Sequence, residues 1–94
     1  MALQITDWAR EILQRSSEAA RRFNPDAKVR LARVSGSVQA VLTDAPSGDD
    51  QAVDIGGATI YVEAGLDGLV DIEEPHDRVV LKPPGSAPNA RGHL

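Results

Sequence analysis

The chain has 94 residues, no cysteine, 41% hydrophobic and 26% charged content, and a formal net charge of −4. That length supports one domain around a single core, and the absence of cysteine excludes disulfides, thiolate metal ligands and thiol redox chemistry. An acidic chain whose aromatics are Trp8, Phe23 and Tyr61 lacks the clustered Lys/Arg that phosphate contacts require, so nucleic-acid binding is not expected.

The charge is unevenly placed. Residues 1–33 carry seven Arg/Lys against four Asp/Glu, and residues 34–94 carry three against ten. A basic helix and an acidic sheet that attract each other within one fold account for this. The opening MALQITDWAR has no basic n-region and no apolar h-region, and no apolar run reaches the ~18 residues a membrane span needs. The expected location is the cytoplasm.

Thr6 followed by Asp7 predicts a helix start, a hydroxyl cap and then a carboxylate at the positive end of the helix dipole. Trp8, Ile12, Ala19, Ala20 and Phe23 recur at helical spacing, widened by Ala9 and Leu13, with Arg10, Arg15, Arg21 and Arg22 on or beside the wet side. Pro25 ends the pattern, because its ring disfavours α geometry at Asn24. The prediction is one amphipathic helix over about 6–23 whose Trp8–Ile12–Phe23 face anchors the core.

Strands follow. KVRLAR alternates Val29 and Leu31 with charge, and SVQAVLT places Val38, Ala40 and Leu42 on one face. Between them Gly36 permits a tight turn or bulge, with Ser35 and Ser37 satisfying local backbone groups. APSGDD reads as a loop. QAVDI and ATIYVE flank Gly56-Gly57, a hairpin turn that tolerates positive φ at both positions. LVDIEE and RVVLK flank Pro75-His76-Asp77, a second hairpin. From Pro83 onward three prolines, two glycines and no periodicity predict a disordered tail over 83–94, leaving a globular domain over 1–82.

The order of these elements resembles the HesB-like family, the A-type iron–sulfur cluster carriers. The resemblance is carried by Ile5-Thr6 before the helix, NPDAKVRLARVSGSVQAVL, the acidic loop, the Gly-Gly hairpin ending ATIYVE, the Asp67-Gly68 turn and the closing PNARG. It implies a one-helix α+β fold with an antiparallel or mixed β body. It also implies where a cluster would be held, and there the chain departs. Matching Ser35-Gly36 to the family's Ser-Gly puts the first ligand position on Val34, and Pro88-Asn89-Ala90-Arg91-Gly92 is followed only by His93-Leu94. Fe–S clusters are held overwhelmingly by thiolates, so no ligand residue carries over. The helical insert usual before the Asp-Gly turn is compressed to Ala64-Gly65-Leu66.

Other constellations are thin. Ser35 or Ser37 as a nucleophile would need His76 or His93 as its base, without the strand–turn–helix of a nucleophile elbow. Asp44, Asp49, Asp50 and Asp54 crowd one loop without calcium-loop spacing. Asp71 and Glu73 share a strand face with His76 across the turn, the better candidate for a metal. The expected function is a non-catalytic, cysteine-less HesB-like protein that binds or regulates a partner in iron–sulfur cluster assembly. The alternative is an iron or cluster carrier using carboxylate or His ligands, or those of a partner. No catalytic residue, cofactor or resident metal is assigned.

Overall fold

The computed structural model describes residues 3–74 and 78–89. Along the chain run β1 (Leu3–Ile5), α1 (Asp7–Phe23), β2 (Lys28–Val34), β3 (Ser37–Thr43), β4 (Gln51–Asp54), β5 (Thr59–Val62), β6 (Gly68–Glu73) and β7 (Arg78–Lys82). The class is α+β, as predicted: one helix packs against two sheets. The first has the order β1-β6-β7, with β1 parallel and β7 antiparallel to β6. The second has the order β3-β2-β5-β4, antiparallel except for the β2–β5 pair. The sheets lie against each other along β3 and β7, and α1 packs on β2 and β6.

Helix α1 begins where the capping chemistry says it should. Thr6 is its N-cap, and its hydroxyl accepts the Ala9 N–H at 3.1 Å. Asn24, in extended geometry, ends it. The buried face is Trp8, Ala9, Leu13, Ser17 and Ala20, a narrower stripe than the sequence suggested. Trp8 is 7% exposed and belongs to the core, but Phe23 is 94% exposed. The predicted anchor is therefore correct at Trp8 and wrong at Phe23. That residue closes the final turn, after which the chain leaves the helix, so its ring has no sheet beneath it. Gln14 Nε2 donates to the carbonyls of Ile55 (2.8 Å) and Gly56 (2.6 Å), tying the helix to the β4–β5 turn.

Core residues come from every layer: Leu13 from the helix, Val29 and Leu31 from β2, Ile60 and Val62 from β5, and Val70 and Ile72 from β6. The hairpin turns carry the backbone geometry that sequence implied. Gly56 (φ 88°) and Gly57 (φ 82°) are both left-handed, as a two-residue hairpin turn of right-handed strands requires. Ser35 (φ 52°) and Gly36 (φ 84°) do the same between β2 and β3. That junction is a tight turn, with Val34 paired to Ser37. The β6–β7 hairpin forms as predicted, with its turn residues Pro75, His76 and Asp77 outside the described residues. Sequence reading missed β1, three residues too short to show a period.

Candidate functional site

Strand β6 carries a charge inside the protein. Val70 and Ile72 face the core, so Asp71 points to the opposite side of the three-stranded sheet, where it is nonetheless fully buried. What covers it is the segment after β7. Asn89 N–H donates to Asp71 Oδ2 at 2.6 Å, and Asn89 Nδ2 donates to the Ile72 carbonyl at 2.9 Å. Lys82 pairs with Leu69, on the same face as Asp71, and its ammonium lies 3.1 Å from Asp71 Oδ2. It also donates to the Ala87 carbonyl (2.8 Å) and Asn89 Oδ1 (2.6 Å). Asp71 Oδ1 accepts from the Thr6 hydroxyl (3.0 Å) and the Ile72 N–H (2.8 Å). Burial by itself would raise the Asp71 pKa. The donors from Asn89, Ile72, Lys82 and Thr6 outweigh it and hold the carboxyl below its ordinary value.

This network corrects the expectation of a free tail from Pro83. Residues 83–89 fold back over the sheet as a strap, because a buried carboxylate without donors would be far costlier than ordering a few residues. Ala90–Leu94 lie outside the described residues.

Asp71 and Glu73 are the described members of the metal candidate. Both Asp71 oxygens are already engaged, and Glu73 is occupied by Arg78 at 2.6 Å. His76 lies outside the described residues. Among the described residues no group of three or more His, Asp or Glu side chains could hold a metal ion. The acidic loop disperses likewise. Asp50 takes a two-pronged grip from Arg30 (2.7 and 3.0 Å), and Asp54 accepts the Gly56 N–H at 2.8 Å. The Arg30 hydrogen bond is the main cause holding the Asp50 carboxyl below its usual range. Val34 is an exposed hydrophobe at the end of β2.

The feature left open is a slot. While β3 and β7 abut, the opposite edges of the two sheets, β1 and β4, line a groove of about 790 Å³. Ile55 N–H bonds to the Ala58 carbonyl. Antiparallel bonding alternates, so Ala52 and Asp54 turn their backbone groups away from β5, and Asp54 lines the groove. On the far side Thr6 N–H bonds to the Val70 carbonyl. By the same alternation Leu3 and Ile5 turn theirs away from β6. The walls are apolar at Ile5, Trp8, Val53 and Leu69, and the rim carries Asp7, Asp54 and Arg10. Pro88 and Asn89 of the strap form part of the lining. Two free strand edges around an apolar groove can hydrogen-bond an extended chain and seat its alternate side chains. Neither edge was identifiable in advance. β1 is too short to see, and which strand ends at an edge depends on sheet order.

No family model, curated protein or solved structure matches the chain. The HesB-like resemblance rests on the sequence segments that carry it.

Proposed function

We propose that this protein is a non-catalytic binding domain that accepts an extended segment of a partner protein in the slot between β1 and β4. The observation that carries the reading is the pair of free edges. Ala52 and Asp54 on one side, and Leu3 and Ile5 on the other, present backbone groups without a neighbouring strand among the described residues. A segment of alternating apolar residues fits such a groove by strand addition. The rim favours a basic residue among them, since Asp7 and Asp54 face one Arg10. On the HesB-like resemblance the partner would belong to iron–sulfur cluster assembly, and that part of the proposal has the sequence segments as its sole support.

Selection from a randomised heptapeptide display library tests the reading. The winning peptides should alternate apolar residues, slow amide exchange at Ala52, Asp54, Leu3 and Ile5, and lose binding to Ala52→Pro. Proline at that position removes an outward N–H while leaving the β5 ladder intact. Peptides that bind Ala52→Pro equally well, or a selection that yields no binder, would overturn it.

A further inference from the structure

A polar concavity of about 390 Å³ opens between the C-terminal half of α1 and the β4–β5 hairpin, a volume within the range of small-molecule sites. Ser17 reaches it from the buried face of the helix. The residue is 6% exposed, yet its hydroxyl makes no hydrogen bond to any described residue. Among the described residues no fully enclosed side-chain polar atom lacks a partner, so this hydroxyl opens into the concavity. A hydroxyl withdrawn from bulk water and left unbonded is unfavourable, and for packing alone alanine would serve better. The sheet supplies further donors. Arg30 and Tyr61 are partners in the β2–β5 ladder, so Lys28 and Thr59, each two residues earlier, follow on the same face. Thr59 in turn pairs with Asp54. These four residues other than Arg30 line the concavity, as does Arg21 of the helix. The side chains of Arg21, Thr59 and Tyr61 bond to no other described residue. Lys28 Nζ donates to the Asp26 carbonyl at 3.0 Å, which leaves two of its three donors.

We propose that this concavity binds a small phosphate ester, with the phosphate held by Arg21 and Lys28 and with a polyol or sugar as its organic part. A phosphate ester at neutral pH carries about 1.5 to 2 negative charges and three strong acceptor oxygens. The two cations answer the charge, and the hydroxyls of Ser17, Thr59 and Tyr61 answer the oxygens. Ser17 thereby gains the partner that the fold does not give it. Asp54 selects the organic part. Its Oδ1 accepts the Gly56 N–H at 2.8 Å, which leaves Oδ2 to accept a hydroxyl. Inorganic phosphate meets only repulsion from that carboxylate, whereas a ligand bearing both a phosphate and hydroxyl groups uses every polar group on the wall. The concavity and the slot between β1 and β4 have Asp54 as their one common lining residue, so the two sites are separable by substitution.

Titration of the isotope-labelled full chain with glycerol 3-phosphate and with glucose 6-phosphate, followed by amide chemical shifts, is the test. At least one ester should shift the amides of Ser17, Arg21, Lys28 and Tyr61 saturably. Its dissociation constant should lie at least about tenfold below that of inorganic phosphate, and glycerol and glucose should shift none of these amides. Arg21→Ala and Lys28→Ala should each weaken the ester by about tenfold or more while keeping the circular dichroism spectrum, since each removes a charge-assisted bond. Ser17→Ala should weaken it by about threefold or more, yet unfold at a urea concentration no lower than wild type, because its hydroxyl has no partner within the fold. Three results would overturn the proposal: no saturable shift with either ester, inorganic phosphate binding as tightly as the esters (an adventitious ion only), or an affinity unchanged in both the Arg21 and the Lys28 variant.

Discussion

The Thr6 hydroxyl serves two elements at once, accepting the Ala9 N–H at 3.1 Å and donating to Asp71 Oδ1 at 3.0 Å. One oxygen thereby caps α1 and satisfies a buried carboxylate of β6, which locks the helix entry to the three-stranded sheet. Thr6→Val keeps the shape and removes both bonds. It should lower stability by about 2–3 kcal/mol, combining a lost cap with a lost bond to a charged acceptor. Thr6→Ser keeps the hydroxyl and should lose less than about 1 kcal/mol. Urea denaturation of the two variants is the check, and equal losses would mean that the hydroxyl is not what matters.

Acid should act through the same carboxylate. Asp71 has a folded pKa below its ordinary value, so its contribution is fully present above the unfolded value of about 3.9 and is lost as pH falls through the folded one. Asp50, lowered chiefly by the Arg30 hydrogen bond, acts in the same direction. Urea midpoints should be flat from neutral pH to about 5 and then fall. Asp71→Asn should be less stable at pH 7 yet lose less on acidification. Its residual slope would report Asp50 and the other carboxylates.

How much of this was legible follows from where each determinant acts. Thr6, Pro25 and the Gly56-Gly57 pair work locally, through caps and backbone angles, and each marked its element correctly. Phe23 misled because helical spacing reports which face a residue lies on, not whether a sheet extends beneath it. In the sequence Asp71 stands with Glu73 on one strand face as a metal candidate. Its burial depends on Thr6, Lys82 and Asn89, contributed from both ends of the chain, and no local pattern carries that information. The slot was invisible for the same reason, since β1 and β4 meet only through sheet order.

The strap offers a sharper contrast with the local reading. Proline-rich composition made residues 83–89 look dispensable, yet Asn89 supplies two donors and Ala87 accepts from Lys82. Deleting residues 88–94 should strip Asp71 of one donor and admit water beside it. The expected loss is about 1–3 kcal/mol, and Tm should fall by about 5 °C or more for a domain of this size. An unchanged Tm would show that the strap does not hold in solution.

Gly68 and Gly57 separate two effects that glycine substitution usually mixes. Both have positive φ, 126° and 82°. A Cβ on Gly57 would meet nothing within 4 Å, whereas one on Gly68 would collide with the Lys82 carbonyl oxygen of the adjacent strand. Gly57→Ala should therefore cost about 1 kcal/mol, the left-handed backbone penalty alone. Gly68→Ala must also push β7 away from β6 and should cost about 2–4 kcal/mol. Similar losses for the two variants would mean that β7 yields to a Cβ at Gly68 without cost.

Trp8 and Phe23 stand at the two ends of one helix with opposite burial, 7% against 94% exposed, and they should respond oppositely to truncation. Trp8→Ala leaves a cavity among Leu13, Val70 and their neighbours and should cost about 3–5 kcal/mol. Phe23→Ala removes almost no intramolecular burial and should fall within about 0.5 kcal/mol of wild type. Thermal melts of the two variants check the contrast, and equal losses would mean that the Phe23 ring is not solvent-facing in solution.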